Sequence, residues 1–318
     1  MNELAFIFER AKDWVAACTG EFSAVALARD LGIQAAEDRD IILSDLCALK
    51  LCEPTGRKNG EYRRVDREAP KIDWRNAEME SFPLRLPFGL DNMARVNPGG
   101  MVFIGGETNG GKSYFSMLIA HMNLAQNGGR HTAVRFLNSE TVPSVIRENA
   151  NRIDANVTAW DGLDVRSRDR DFHMVLNKDG LTIIDYLHLE DNFYDVGRYL
   201  ERMIRPENLG TGVVVVFMQK KKGAEYAIGG SFTQYKPALS LSLNAMHGVN
   251  SIKIDKLKMT KRHPNPEGAE LDFRFNAFGG LDIVAGWRYL TKKDRLTVWT
   301  QYERERALSQ IKDRFGDF

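Results

Sequence analysis

Residues 101–120 read MVFIGGETNGGKSYFSMLIA, and this stretch decides the fold class. An apolar run at 101–105 leads into a loop that contains several glycines, and a longer apolar run follows at 114–120. The change from a short apolar run to a longer one across a glycine-rich turn predicts a strand, a tight loop and a helix. Such strand–loop–helix units are typical of a parallel sheet that is covered by helices.

The loop within this stretch matches the pattern GxxxxGK[ST] in full. Glycines allow backbone N–H groups to converge on a phosphate without Cβ clashes, and the following helix adds its positive end. In such a loop the lysine, here Lys112, reaches the β- and γ-phosphates, and the hydroxyl of Ser113 binds Mg²⁺. The sequence therefore predicts a site for ATP and Mg²⁺. The residues predicted to form it are Gly106, Glu107, Thr108, Asn109, Gly110, Gly111, Lys112 and Ser113.

Three polar residues stand at the ends of other apolar runs. Asp185 follows 181–184 and is a candidate Mg²⁺ ligand, because ligands bind at the carboxyl edge of parallel strands; the alternative is a helix cap. Glu140 follows the run 132–137 and is a candidate general base for water, or else a surface acid in a strand-to-helix turn. Gln219 ends the run 213–218, where a neutral amide could sense the γ-phosphate.

The alternation of strand-like and helical stretches continues over residues 81–290. It predicts an α/β domain with a mainly parallel sheet. Two further runs, 251–259 and 270–276, are joined through a Pro- and Gly-containing turn and predict an antiparallel hairpin at the sheet edge. Residues 291–318 are interpreted as a charged helical tail.

The four motifs, each at the end of a predicted strand and in this order, resemble the core of RecA/DnaB-type P-loop ATPases. The resemblance covers residues 82–280 and includes the stretches FLNSE (136–140), IIDYL (183–187) and FMQ (217–219). It implies a RecA-like fold in which Glu140 is the catalytic base, Lys112 and Gln219 take part in hydrolysis, and Asp185 holds Mg²⁺ with Ser113.

The stretch IDKLK (254–258) resembles the hairpin that, in this family, sends cations into the ATP site of a neighbouring subunit. The candidates here are Lys256, Lys258 and, as an alternative, Arg262. The resemblance thus implies a homo-oligomer, most simply a hexameric ring, with ATP bound at subunit interfaces.

Basic residues concentrate between Gln219 and Arg262. This stretch contains nine basic residues against two acidic ones, a local charge of +7 in a chain whose formal net charge is +1. Its first part, residues 220–237, is rich in glycine and is called the basic segment below. Because it follows the candidate γ-phosphate sensor, it predicts a site for single-stranded DNA, with aromatic residues that could stack on bases. The alternative is a solvated basic loop. The candidate contacts are Lys220, Lys221, Lys222 and Lys236.

Residues 1–66 predict three helices followed by a hairpin that turns at Asn59-Gly60, the order of a winged-helix domain. The predicted helices cover 4–15, 22–31 and 35–50, and a polar linker follows at 67–80. The unit has twelve acidic and nine basic residues, so only its wing is locally basic. Contact with duplex DNA and contact with a protein both remain open. The candidate DNA contacts are Arg57, Lys58, Arg63 and Arg64.

The composition indicates the general class of protein. Hydrophobic residues make up 43% of the 318 residues, which favours a globular, core-forming chain over a disordered one. Three cysteines and the lack of a long apolar run predict a cytoplasmic protein that does not contact membranes. We therefore expect an ATP-hydrolysing helicase or replication protein of a phage or mobile element. The alternatives are an ATP-switched DNA-binding scaffold and a recombinase-like filament.

Overall fold

The computed structural model describes residues 3–18, 20–56, 58–65, 74–76, 80–131, 133–140, 142–187, 196–246, 248–276, 279–291, 293–297, 300–301 and 304–305. The chain forms two compact units, Met1–Glu78 and Met79–Phe318. Most of the proposed linker, the wing residue Arg57 and most of the proposed C-terminal tail lie outside the described residues. No described helix combines the length and the apolar character that a membrane span requires.

The first unit contains three helices and a small antiparallel sheet. The elements are α1 (Glu3–Ala17), β1 (Glu21–Ser23), α2 (Ala24–Leu31), α3 (Ala36–Ala48), β2 (Cys52–Pro54) and β3 (Glu61–Arg64). The strand order is β1-β3-β2. The second helix begins two residues later than expected, because residues 21–23 pair with β3 and Ser23 caps the helix by accepting a hydrogen bond from the N–H of Ala26.

The second unit is built on a sheet of nine strands. They are β4 (Met101–Gly106), β5 (Val134–Asn138), β6 (Leu163–Ser167), β7 (Leu181–Asp185), β8 (Val213–Gln219), β9 (Leu239–Met246), β10 (Val249–Leu257), β11 (Ala269–Phe275) and β12 (Leu281–Tyr289). The order across the sheet is β12-β11-β10-β9-β4-β8-β7-β5-β6. The six strands from β9 to β6 are parallel to one another, and β10, β11 and β12 are antiparallel.

Helices cover both faces of the parallel part. They are α4 (Lys112–Asn123), α5 (Pro143–Ile153), α6 (Val196–Met203), α7 (Pro206–Leu209) and the short α8 (Phe232–Tyr235). Side chains of β4 alternate between two cores, since Val102 and Ile104 pack in the same cluster as α4, whereas Met101 and Phe103 pack in the same cluster as α6. The chain is thus an α/β protein with a large, mostly parallel sheet, as the sequence predicts.

The prediction that the 251–259 and 270–276 pair forms the sheet edge is wrong. These residues do form an antiparallel pair, β10 and β11, but β12 pairs with β11 and forms the edge. Every described side chain of β12 is exposed or half-buried. Apolar residues nevertheless alternate along its sequence, LDIVAGWRY, so this strand could have been predicted from its period of two. The strands β6 and β9 were also not predicted.

Candidate functional site

The glycine-rich loop joins β4 to α4, and its backbone depends on glycine at two positions. A Cβ atom at Gly106 would lie 2.3 Å from Cγ of Lys112, and one at Gly111, whose φ is +86°, would lie 2.5 Å from Cζ of Phe275. Because helix α4 begins at Lys112, its free N–H groups point into the loop. The loop therefore has the backbone geometry of an anion-binding turn.

Lys112 closes the loop through three hydrogen bonds. Its ammonium group donates to the carbonyl oxygens of Gly106 (3.2 Å) and Glu107 (3.0 Å) and to Oε1 of Gln219 (2.7 Å). Nε2 of Gln219 in turn donates to Oγ1 of Thr108 (2.9 Å) and to the carbonyl oxygen of Lys220 (3.1 Å). Burial lowers the pKa of Lys112, and the nearby acidic groups oppose that shift. A phosphate that binds Lys112 would compete with Gln219 for its ammonium protons.

Asp185 lies beside the first turn of α4 and is 3% exposed. Burial raises the pKa of Asp185, and hydrogen bonds from Ser113 and Ser116, together with the charge of Lys112, oppose that shift. Oδ1 of Asp185 is buried and has no hydrogen-bond partner among the described residues. A buried carboxylate oxygen without a donor is unstable unless a cation or a water molecule meets it.

Glu140 follows β5, and its side chain is held by a residue that follows β7. Asn138 of β5 is paired with Asp185 of β7, so the loops that follow these strands are neighbours. Oγ of Ser139 donates to the carbonyl oxygen of Tyr186 at 2.8 Å, and the Tyr186 hydroxyl donates to Oε1 of Glu140. Burial and the hydrogen bond to Glu140 raise the pKa of Tyr186 to about 12, so this phenol stays a donor at neutral pH.

Glu107 stands in the loop but its side chain turns away from the N-terminus of α4. The residue is 4% exposed, and its carboxylate accepts hydrogen bonds from the N–H groups of Gly223 (2.7 Å) and Ala245 (3.0 Å). Its backbone N–H donates to the carbonyl oxygen of Leu243 (3.0 Å). Glu107 therefore joins the loop to β9 and to the basic segment.

Two cavities flank the loop and meet at Asn109 and Phe275. The first, of about 830 Å³, contains Lys112 and Ser113 and extends to α5, where Arg152 lines it. The second, of about 850 Å³, is lined by Thr108, Gln219 and the exposed lysines Lys221 and Lys222, among others. Either volume is sufficient for a ligand of the size of a nucleotide.

The structure places the predicted cations of β10 away from this site. Lys256 pairs with Ser240 of β9, which pairs with Phe103, whereas the loop begins after Gly106. Three residues of strand correspond to about 10 Å, beyond the reach of a lysine side chain. Lys256 instead donates to the carbonyl oxygen of Gln234.

Lys258 and Arg262 both follow the end of β10. The ammonium group of Lys258 donates to the carbonyl oxygen of Lys236 at 2.7 Å. Arg262 is exposed in the turn between β10 and β11. Neither residue is brought together with Lys112 within one chain.

One predicted nucleic-acid contact is contradicted by burial. Lys220 is 4% exposed, and its ammonium group donates to Oδ1 of Asn244 at 2.5 Å, so it cannot lie on a nucleic-acid strand at the surface. Lys221 and Lys222 are exposed, whereas Lys236 forms an ion pair with Glu201 at 3.2 Å. The exposed charge of the basic segment is therefore concentrated at Lys221 and Lys222.

The described cations of the wing have partners within the first unit. Arg63 forms an ion pair with Glu53 at 2.5 Å, and Lys58 approaches Glu61 at 4.0 Å. Arg64 donates to the carbonyl oxygen of Ala16 at 2.6 Å. These contacts reduce the charge that the wing could offer to a phosphate backbone.

Three residues with contacts at or near the site were not predicted from the sequence, namely Tyr186, Ser116 and Asn244. Tyr186 follows Asp185 directly, which is a local signal, but its contact with Glu140 joins residues 46 positions apart. Asn244 is 24 residues from Lys220 and lies in a strand that was not predicted. Only the folded sheet brings these pairs together.

Compared with models of known protein families and with curated protein sequences, the chain gives no match.

Proposed function

We propose that this chain is an ATPase of the RecA/DnaB type that acts on single-stranded nucleic acid. The observation that carries the proposal is the grouping of Lys112, Gln219, Asp185 and Glu140 at the carboxyl ends of β4, β5, β7 and β8. Parallel sheets bind their ligands at this edge. The order of these strands and the glycine-dependent loop support a RecA-like core.

The polar groups at the site fit a magnesium ion. Mg²⁺ prefers oxygen ligands and usually keeps several water molecules beside one or two protein groups and the phosphates. Asp185 offers a buried oxygen without a donor, and Ser113 offers a hydroxyl near it. Among the described residues there is no cluster of three or more His, Cys, Asp or Glu side chains that could hold a metal ion.

The protein groups have distinct parts in hydrolysis. When bound, Mg²⁺ neutralises charge on the β- and γ-phosphates. Lys112 exchanges its bond to Gln219 for a bond to phosphate, and the helix N-terminus orients the nucleotide. Glu140, held by Tyr186, accepts a proton from the attacking water.

A ring of subunits is part of the proposal. Lys256 and Lys258 cannot reach the phosphate loop of their own chain, so any role in hydrolysis requires a second copy. Sedimentation of the full chain with and without Mg-ATP tests this; a monomer under both conditions contradicts a shared site.

We also propose that the first unit is a winged helix, and we favour a protein partner for it over duplex DNA. The element order and the antiparallel β1-β3-β2 sheet support the winged-helix fold. Its described wing cations are engaged by Glu53, Glu61 and the Ala16 carbonyl. The exposed side of α3 adds Glu37 and Asp45, which would repel a phosphate backbone.

The proposed ATP site is tested through Lys112. We expect Lys112→Ala to weaken the binding of a fluorescent ATP analogue by about 10- to 100-fold, because a charge-assisted bond is lost. The matched control is Lys178→Ala, which removes an exposed lysine in the loop that precedes β7. Equal affinity of the two variants would contradict the proposal.

A further inference from the structure

A buried carboxylate is an unexpected component of a loop that binds phosphate. Glu107 comes directly after Gly106, and its negative charge opposes an incoming anion. Burial of a charged group also costs free energy unless hydrogen bonds compensate it. The residue therefore needs an explanation other than contact with phosphate.

Glu107 contacts the phosphate loop through its backbone and contacts β9 and the basic segment through its carboxylate. On the loop side, its carbonyl oxygen accepts from the ammonium group of Lys112 (3.0 Å) and from the N–H of Gly110 (3.0 Å). On the other side, its carboxylate holds the N–H groups of Gly223 and Ala245. One residue thus contacts both the group that would bind phosphate and the turn that follows Lys221 and Lys222.

The carboxylate of Glu107 interacts electrostatically with a second lysine, Lys220. Burial lowers the pKa of Lys112 and that of Lys220, and the charge of Glu107 opposes this shift at both lysines. Lys220 begins the basic segment and is fixed to Asn244. The start of the basic segment is therefore attached to the phosphate loop through Gln219, through Glu107, and through the N–H of Lys220, which donates to the carbonyl oxygen of Gly106 (2.8 Å).

We propose that Glu107 is a positioning residue that transmits the nucleotide state of the phosphate loop to the basic segment, and so controls its hold on a nucleic-acid strand. The inference rests on the proposed function, which it deepens. A shift of Lys112 toward phosphate moves the backbone of Glu107, and its two hydrogen bonds carry that movement to Gly223 and Ala245.

The test uses the full chain and the substitution Glu107→Gln. Glutamine keeps the size of the side chain, but its amide has one acceptor oxygen in place of two and no charge. The control is Glu225→Gln, which removes an exposed acid of the same segment. We compare hydrogen–deuterium exchange of the peptide that covers residues 220–231 with and without a non-hydrolysable Mg-ATP analogue, and we measure analogue affinity in parallel.

In the wild type, we expect the analogue to change exchange of this peptide by about tenfold, within the usual range of coupling between sites. We expect Glu107→Gln to bind the analogue within about threefold of the wild type but to lose most of the exchange change, because binding and transmission are separate. Glu225→Gln should behave as the wild type.

The outcomes separate this inference from the proposed function. A wild type that binds no analogue contradicts the ATPase proposal, and the role of Glu107 falls with it. If the wild type binds the analogue and Glu107→Gln keeps the full exchange change, the ATPase proposal stands and the role of Glu107 is refuted.

A second measurement covers a variant that fails to fold. In the wild type alone, exchange at the amides of Gly223 and Ala245 should change together on addition of the analogue, since both donate to the same carboxylate. Unchanged exchange at both amides, or a change at only one, refutes the inference.

Discussion

A water molecule that attacks a phosphate loses a proton, and in the proposed reaction Glu140 accepts it. Glu140 is exposed, so its orientation depends on the groups that hold it. The hydroxyl of Tyr186 supplies one such contact, and Ser139 connects the two loops. The residue that orients the base is thus supplied by a different strand end.

The role of Tyr186 is tested by Tyr186→Phe. We expect kcat for ATP hydrolysis to fall by about tenfold, equivalent to about 1.4 kcal/mol on the barrier, because Glu140 loses the group that orients it. KM should change little, since Tyr186 is not expected to touch phosphate. The control is Tyr199→Phe on α6, and equal kcat values for the two variants would refute the orienting role.

Single residues also show what local sequence reveals and what it does not. Lys112, Ser113 and Gly106 belong to one continuous pattern, so their grouping was predictable. The burial of Lys220 was not, because three consecutive lysines indicate exposed charge. The buried ammonium group of Lys220 has a hydrogen-bond partner, Asn244, which the fold brings from a strand that is distant in the sequence.

At the scale of elements, predictability follows the distribution of apolar residues. Strands β4, β7 and β8 are mostly apolar because both of their faces are covered, and all three were predicted. Strand β9, with the sequence LSLSLNAM, was missed. Its leucines enter the core, whereas Ser240 and Ser242 form a buried polar layer on the other face. The alternation of leucine and serine is itself a strand pattern, so β9 could have been predicted, whereas the hydrogen bond from Ser242 to Asp255 forms only in the folded sheet.

The exposed lysines of the basic segment, Lys221 and Lys222, are expected to contact single-stranded DNA. We expect the double substitution Lys221→Ala and Lys222→Ala to weaken binding of single-stranded DNA. It should also make the salt dependence shallower, with a slope change of about 1.4 if each lysine neutralises one phosphate. Fluorescence anisotropy at several salt concentrations measures both effects.

The matched control for that experiment lies in the wing. Lys58→Ala combined with Arg63→Ala also removes two cations, but these are already paired with acids. We expect this control to bind single-stranded DNA as the wild type does. Equal loss of affinity in both double variants would refute the assignment to Lys221 and Lys222.

At the scale of the whole molecule, a net charge of +1 conceals how charge is arranged. The +7 between Gln219 and Arg262 is distributed over groups with different partners in the folded chain. Several of its cations are engaged: Lys220 by Asn244, Lys236 by Glu201, Lys253 by Asp255, and Lys256 and Lys258 by backbone carbonyls. The local charge count thus overstates the surface available to a polyanion.

We propose that ATP is hydrolysed at the carboxyl edge of the sheet with Glu140 as the base. The most direct test is phosphate release from Mg-ATP by the wild type, by Glu140→Gln and by the surface control Glu207→Gln. We predict turnover by the wild type and the control, and a loss of about 100-fold or more in Glu140→Gln with ATP binding retained. Turnover in Glu140→Gln equal to that of the wild type, or no turnover in the wild type, would contradict the account.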